Sequence, residues 1–327
     1  MRICLMIEGQ EGVSWGQWMA LAEVCEELGF DALFRSDHYA GIPDGGRGAL
    51  DAWTTLAAIG ARTKTLRLGT LVSPATFRHP SVLAKSVVTA DHVTGGRVEL
   101  GMGAGWFELE HREFGFPFAS APERVDVLAE QAEIVHRLWD ANEAEVTFRG
   151  KHYTLEGCRA LPKPVQQPHP PLIFGGSAGP RSAALAAKWA DEYNVNFCSV
   201  DEIKARRGRV AATFEAAGRD APPTFSFMTC TLVGADAAEL LARAGRLMEL
   251  EGETGDPKAW LEGVAGEYVV GTVPEALDRL GELSDAGVDR IMMQHLLHDD
   301  LDAVRLIGEE LIPAAAKLSR GPELPTE

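Results

Sequence analysis

The sequence of 327 residues predicts an α/β protein, a single (β/α)8 TIM barrel with insertions. Three observations predict this fold. Short apolar stretches alternate with amphipathic stretches along the chain, capping sequences open several of the amphipathic stretches, and residues 66–106 read as strand, helix and strand. Parallel strands joined by helices, repeated about eight times at this length, favour a closed barrel over an open doubly wound sheet.

The first half of the chain contains four strand and helix units. Their apolar stretches predict strands at 3–7, 31–34, 66–72 and 98–100. Capping boxes, prolines and glycines indicate where the helices between these strands begin and end. The signals are a capping box at 14–17 with Gly29 at the end of the first helix, a helix at about 51–62, a helix over 81–93 after Pro80, and a second capping box at 120–123.

The second half repeats the pattern with Ala-rich amphipathic helices. Its apolar stretches predict strands at 172–174, 191–196, 224–233 and 288–293. A capping box at 272–275 opens one of its helices, and a final helix covers about 301–318.

Three segments fall outside this alternation and are expected to be insertions. They lie near 104–118, 141–170 and 249–268, the second with a hairpin turn at Arg149 and Gly150 and the third a mobile lid. Residues 1–320 are then one barrel domain, and 321–327 form a flexible tail.

Composition excludes several classes of protein. The net charge of -17 comes without a basic run, which argues against nucleic acid and anionic membrane as partners. The five cysteines form no CxxC motif and are odd in number, so a reducing compartment, the cytoplasm, fits best. No targeting segment or membrane span is visible in the sequence.

The predicted second strand ends in Ser36, Asp37 and His38, at the barrel end that carries chemistry. A histidine there can exchange a proton or hydrogen-bond a cofactor ring. A structural ion pair explains the same residues equally well.

The predicted fourth strand ends in a loop of small residues, Gly103, Ala104 and Gly105. Small residues let the backbone approach a flat ring or a phosphate group, although a tight turn accounts for them too. Trp106 follows, either in contact with substrate or packed at the barrel mouth.

After the predicted fifth strand, backbone N–H groups, a hydroxyl and a guanidinium are expected to converge on one anion. We favour a phosphate over a simple helix cap at this position. The residues are Gly175, Gly176, Ser177 and Arg181.

Other polar side chains end strands and are candidates for contact with substrate, namely Glu8, Asn196, Gln294 and His295. The favoured alternative for each is a hydrogen bond at the rim without a catalytic duty. No metal site is predicted, because His295 and His298 are the nearest pair of histidines and lack an evident third ligand.

The sequence resembles the bacterial-luciferase-like monooxygenase superfamily over nearly its whole length, and most closely the branch that depends on the deazaflavin coenzyme F420. The motifs that carry the resemblance are SDH at 36–38, LGTLVSPATFRHP at 68–80, GGRVELGMGAGWFELEHREFGFPF at 95–118, PLIFGGSAGPR at 171–181 and DAGVDRIMMQ at 285–294.

The resemblance implies where a cofactor binds. A ring in the barrel mouth is backed by a bulge with a non-prolyl cis peptide bond, which maps to Leu71–Val72 next to Thr70. His38 matches the histidine beside the reactive ring carbon, and Asp37 orients the ring or the local backbone. The loop from Gly175 to Arg181 matches the cofactor-phosphate loop.

The resemblance also bears on the substrate. Sugar-phosphate-oxidising members carry an acidic residue where this chain has Trp106, and an aromatic residue where it has Ile42. Oxidation of a sugar phosphate is therefore disfavoured, and a different small organic substrate is expected.

The resulting hypothesis is an oxidoreductase that transfers a hydride between coenzyme F420 and a small organic substrate. The first alternative is a two-component monooxygenase that uses FMN and a partner reductase. The second is a barrel that binds flavin without turnover. The family also implies a homodimer formed through the helices after strands two and three, and basic residues along the path of the anionic cofactor tail, with Arg181, Lys188, Arg206 and Arg207 as candidates.

Overall fold

A computed structural model describes residues 1–42 and 46–318. The predicted flexible tail at 321–327 lies outside the described residues. Among the residues described, no helix is both long and apolar enough to cross a lipid bilayer.

The parallel barrel predicted from the sequence is confirmed. Eight strands pair in the order β1, β2, β3, β4, β7, β8, β9, β11, and β11 pairs again with β1, from Arg2 opposite Arg290 to Met6 opposite Gln294. The strands of the described chain are β1 (Arg2–Ile7), β2 (Ala32–Arg35), β3 (Arg67–Pro74), β4 (Val98–Gly103), β5 (Val146–Arg149), β6 (Thr154–Cys158), β7 (Leu172–Gly175), β8 (Glu192–Asn196), β9 (Thr224–Gly234), β10 (Val269–Thr272) and β11 (Arg290–Gln294).

Helices cover the outside of the barrel. They are α1 (Trp15–Leu28), α2 (Ala52–Gly60), α3 (Pro80–Thr94), α4 (Glu108–Phe114), α5 (Ala121–Trp139), α6 (Pro180–Trp189), α7 (Val200–Ala216), α8 (Ala237–Glu251), α9 (Pro257–Val264), α10 (Val273–Asp285), α11 (Leu301–Leu306) and α12 (Ile312–Ala315). A π-helical turn, Ile307–Leu311, interrupts the single final helix that the sequence predicts.

Two of the three predicted capping boxes are confirmed. Ser14 and Gln17 bond reciprocally at the start of α1, and Thr272 bonds Glu275 at the start of α10. The box predicted at Ser120 is wrong, because its side chain makes no capping hydrogen bond. Helix α5 begins instead with a proline in its first turn, where the fixed φ angle suits a helix and no N–H is needed.

The alternation of side chains along the strands sends successive residues to different apolar clusters. In β1, Ile3, Leu5 and Ile7 pack outward against the helices, whereas Cys4 and Met6 belong to a small apolar cluster inside the barrel. The next inward position along β1 is Glu8, which lines a cavity at the carboxyl ends of the strands. The register of the strands therefore decides which residues reach that cavity.

Buried charges close the opposite, amino-terminal end of the barrel. Arg290, 1% exposed, contacts Glu99 at 2.7 Å, Glu192 at 3.0 Å and Asp31 at 2.7 Å. Arg67 adds a second contact to Glu99 at 2.6 Å. Burial opposes the ionisation of Glu99, but the charge of Arg290 outweighs it and lowers the pKa of Glu99 to about 2.

The three segments expected to be insertions contain structure of their own. Helix α4 lies in the first, the hairpin of β5 and β6 in the second and helix α9 in the third. Strand β10 follows the third segment and was not predicted. It pairs with the far half of β9, beyond the part of β9 that belongs to the barrel, with Val269 opposite Thr231.

Candidate active site

A cavity of about 1370 Å³ opens at the carboxyl ends of the barrel strands. Most of the residues singled out from the sequence line it. Those in the lining are Glu8, His38, Leu71, Val72, Gly103, Ala104, Gly105, Trp106, Gly175, Gly176, Asn196 and Gln294. Those outside the lining are Asp37, Thr70, Ser177, Arg181 and His295.

One wall of the cavity is a bulge in β3. The peptide bond between Leu71 and Val72 is cis, as the resemblance implied, and the pairing of β3 with β4 shifts register between Thr70 and Ser73. Gly103 of β4 faces this bulge, where an added Cβ would stand 2.5 Å from Cγ2 of Val72. A glycine is required there because the bulge already fills the space of a side chain.

His38 forms a pair with a carboxylate that the sequence did not single out. Its Nδ1 lies 2.7 Å from Oε1 of Glu110, and the other oxygen of Glu110 accepts the backbone N–H of Tyr39 at 3.0 Å. Glu110 is fully buried on helix α4, and the side chain of His38 is 12% exposed. The pair leaves Nε2 as the ring nitrogen available to a molecule in the cavity.

The charge of Glu110 changes how His38 titrates. Burial favours the neutral imidazole, but the hydrogen bond and the charge of Glu110 outweigh burial and raise the pKa of His38 above its ordinary value. Glu8 and Asp37 add smaller contributions in the same direction. A histidine that is readily protonated therefore stands at the cavity wall.

Asp37 lies behind that wall, where it joins two strand ends. Its Oδ2 accepts a hydrogen bond from Ser73 at 2.6 Å and forms an ion pair with Arg78 at 2.6 Å. Arg78 also contacts Asp51 at 2.7 Å. These contacts fix the ends of β2 and β3 relative to each other, and thereby the position of His38.

Thr70 is also buried behind the lining. Its hydroxyl donates to the backbone oxygen of Gly101 at 3.2 Å, and the Ser73 hydroxyl, whose proton goes to Asp37, lies 3.2 Å away. The residue therefore ties the bulge of β3 to β4 and does not reach the cavity.

The loop between β7 and α6 has the geometry of an anion site at a helix N-terminus. Helix α6 begins at Pro180, and its first-turn N–H groups have no partner within the helix. The backbone N–H of Ala178 is already taken by the hydroxyl of Tyr193 at 3.0 Å. Gly176, in the lining, has a φ of 143°, which only glycine adopts readily.

The cations around this loop differ from those expected. Arg181 forms an ion pair with Asp126 on α5, and Lys188 pairs with Glu133 at 3.2 Å. Arg209 of α7, which the sequence reading missed, donates to the backbone oxygen of Ser177 at 3.3 Å. Positive charge therefore reaches the loop from α7.

Arg206 and Arg207, the remaining candidates for the cofactor tail, point in different directions. Arg206 forms an ion pair with Glu202 on the same helix and interacts electrostatically with Tyr193, which contacts the loop, whereas the guanidinium of Arg207 lies against Gly287. Only the first of them is close to the loop.

His295 lies outside the cavity, although its neighbour Gln294 lines it. The His295 side chain is 2% exposed, and burial lowers its pKa to about 4. Adjacent residues at the end of a strand point to opposite faces, so β11 directs Gln294 inward and His295 towards the surrounding helices.

The architecture, a parallel eight-stranded barrel with a histidine and carboxylate pair at the carboxyl ends of its strands, is that of a TIM-barrel enzyme. The family model for luciferase-like monooxygenases matches residues 3–290. The chain therefore belongs to the luciferase-like monooxygenase family.

Curated relatives are named as F420-dependent dehydrogenases. The chain is 28% identical over 313 residues, 90% of its length and 91% of the relative's, to the F420-dependent glucose-6-phosphate dehydrogenase of Microbacterium testaceum. It is 30% identical over 203 residues, 62% of its length and 54% of the relative's, to the F420-dependent hydroxymycolic acid dehydrogenase of Mycobacterium tuberculosis.

Solved structures share the fold. Monooxygenase RslO1 from Streptomyces bottropensis superposes with a TM-score of 0.83 at 24% identity, covering 96% of this chain and 99% of the other. An F420-dependent secondary alcohol dehydrogenase in complex with an F420–acetone adduct superposes with a TM-score of 0.80 at 21% identity, covering 96% and 98%.

Proposed function

We propose that this chain is an F420-dependent oxidoreductase that transfers a hydride between coenzyme F420 and a small organic substrate. The observation that carries the proposal is the pair of His38 and Glu110, 2.7 Å apart, at the wall of a cavity bounded by the β3 bulge. The F420-dependent relatives named above support the same cofactor.

The residues present fit this cofactor. A flat ring needs a smooth surface, and the bulge at Leu71–Val72 together with Gly103 and Gly105 supplies backbone instead of long side chains. A phosphate needs donors, which the loop before α6 offers at a helix N-terminus. Arg209 adds positive charge on the same side of the cavity.

When bound, F420 supplies a two-electron hydride carrier. In this proposal Nε2 of His38 donates or accepts the proton that accompanies the hydride, while Glu110 holds the ring and stabilises its charged form. Ser73 and Arg78 hold Asp37 and so fix the loop that carries His38. Much of the rate enhancement then comes from this fixed geometry.

Equilibrium binding tests the proposal. The purified protein is titrated with oxidised F420 and, separately, with FMN, and each titration is followed by cofactor fluorescence. We expect tighter binding of F420, and a His38→Ala variant should bind it within a few-fold of the wild type. Tighter binding of FMN would contradict the proposal.

The same measurements separate the two alternatives. Preference for FMN, with oxygen uptake when reduced FMN is supplied, identifies a two-component monooxygenase that depends on a reductase. Cofactor binding without turnover of any alcohol or carbonyl compound identifies a non-catalytic barrel.

The proposal extends to organisation and location. Residues 1–320 form one catalytic domain with three insertions, the chain acts as a homodimer in the cytoplasm, and α2 and α3 form the interface. The exposed Val82 and Val93 of α3, at 55% and 46%, support the interface. The five free cysteines support the location. Sedimentation equilibrium measures the assembly, and a monomer at micromolar concentration contradicts the dimer.

A further inference from the structure

The charges in the cavity lining are mostly negative. Its lining contains five glutamates against two basic side chains, Arg47 and His38. Arg47 is committed to Glu11, with Nη1 2.7 Å from Oε2. The other lining glutamates form no ion pair within residues 1–42 and 46–318, and they are Glu8, Glu249, Glu251 and Glu253.

Glu8 is held in place by two amide groups. Its Oε1 accepts a hydrogen bond from Nε2 of Gln294 at 2.6 Å, and its Oε2 accepts one from Nε2 of Gln10 at 2.9 Å. Gln10 is in turn held by the Ser36 hydroxyl at 2.5 Å. Gln10 and Gln294 are both buried, so the carboxylate is part of a built network.

This network fixes the direction of Glu8 without neutralising it. Amide groups donate hydrogen bonds but carry no net charge, so the negative charge of the carboxylate remains in the cavity. Glu8 also contributes to the raised pKa of His38, which places the two groups within electrostatic reach of each other. A substrate beside His38 therefore meets the charge of Glu8.

The positive and negative groups lie on different elements around the cavity. Arg209 of α7 donates a hydrogen bond to the loop before α6, and Arg206 on the same helix is paired with Glu202. Glu249 and Glu251 end α8, and Glu8 ends β1. The cationic side chains attract the anionic arm of a cofactor. Any other anion in the rest of the cavity faces the glutamates.

We propose that Glu8 is a specificity residue, and that the substrate carries a hydroxyl or an amine as hydrogen-bond donor and no negative charge. The inference rests on the proposed function and narrows its substrate class. Phosphate esters and carboxylates are excluded, because a carboxylate fixed by two amides repels them and offers them no donor.

Ligand-observed NMR with three matched probes tests this inference. The probes are cyclohexylmethanol, cyclohexylmethylamine and cyclohexanecarboxylate at pH 7, added to protein saturated with oxidised F420 and to protein alone. We expect the carboxylate to bind at least about tenfold more weakly than the amine, the scale of one unfavourable charge contact. In Glu8→Gln the ratio of the Kd of the carboxylate to the Kd of the amine should fall below about threefold.

Glu23→Gln is the matched control, since Glu23 is exposed on α1, is not part of the cavity lining, and its removal changes the net charge equally. It should leave the ratio unchanged. If Glu8→Gln does not fold, Glu251→Gln should lower the ratio in the same direction. Equal binding of amine and carboxylate to the wild type, or an unchanged ratio in the folded variant, overturns the inference.

The outcomes separate this inference from the proposed function. A protein that binds F420 and also prefers the carboxylate keeps the proposed function and loses the role of Glu8. A protein that prefers the amine but does not bind F420 keeps the role of Glu8 and loses the proposed cofactor.

Discussion

Nδ1 of His38 lies 2.7 Å from Oε1 of Glu110, and this contact joins two segments that are 72 residues apart in the chain. His38 follows strand β2, and Glu110 lies on α4, inside the first insertion. The segment expected to be the first insertion therefore supplies a carboxylate to the barrel mouth. A charge-assisted hydrogen bond of this kind fixes both the tautomer and the direction of the imidazole.

Replacing Glu110 by glutamine should lower the pKa of His38, because the amide keeps the hydrogen-bonding shape and removes the charge. Titration of the His38 ring protons by NMR measures the change, and Glu108→Gln on the exposed face of the same helix is the control. An unchanged His38 titration in Glu110→Gln would show that the pair does not control the ring.

The same pair makes stability depend on pH. The pKa of His38 is raised in the folded protein, so its contribution to the free energy of unfolding is fully present below the ordinary value of 6.5 and is lost as pH rises through the folded value. Urea unfolding between pH 5 and 9 should show this loss in the wild type and a weaker one in Glu110→Gln. Parallel profiles for the two proteins count against the coupling.

Removing the imidazole should affect turnover much more than cofactor binding. His38→Ala should lower kcat by about 10²–10⁴-fold, the usual contribution of a positioned acid or base. Stopped-flow measurement of F420 reduction gives the rate, and His92→Ala, an exposed histidine on α3, is the control. A kcat within threefold of the wild type removes His38 from the proposed mechanism.

Gly103→Ala should weaken cofactor binding. The added methyl group would stand 2.5 Å from Cγ2 of Val72, so the bulge must move. Gly208→Ala on α7 meets no atom within 4 Å and should leave binding unchanged while stabilising the helix by about 0.5–1 kcal/mol. Fluorescence titration with F420 and thermal unfolding measure both effects, and normal affinity in Gly103→Ala contradicts the role given to the bulge.

The buried charges at the closed end of the barrel should be a major determinant of stability. Arg290→Met leaves Glu192 buried without a cation and Glu99 with Arg67 alone, and it should cost about 3–5 kcal/mol. Arg305→Met breaks an exposed pair with Glu27 at 3.1 Å and should cost about 0–1 kcal/mol. Chemical denaturation compares the free energies of unfolding of the two variants. Similar losses would show that the buried charges matter no more than an exposed ion pair.

The barrel was predictable because its strands are buried on both faces and are bounded by glycine, proline and capping residues. Strand β10 was missed because Val269–Thr272 is short and follows a polar segment, so no periodicity distinguishes it. Its position depends on a partner, the extended β9, that the local sequence does not encode.

The site was predictable only in part. The loops after strands two, three, four and five were found because glycine, histidine and serine at strand ends carry a chemical meaning. Glu110 was missed because Glu108 and Glu113 lie on the same short helix, and nothing in the sequence distinguishes one of these glutamates from the others. His295 was included with Gln294 because an uncertainty of one residue in a strand exchanges the inward and outward faces.

The long strand β9 belongs to two structures at once. Its first half is one of the eight barrel strands, and its second half, Thr231 to Gly234, pairs with β10 outside the barrel. The segment between them contains α8 and α9 and provides Glu249 and Glu251 to the cavity. Replacing this one continuous stretch would therefore change the lining of the cavity, while the eight barrel strands and the His38–Glu110 pair stay as they are.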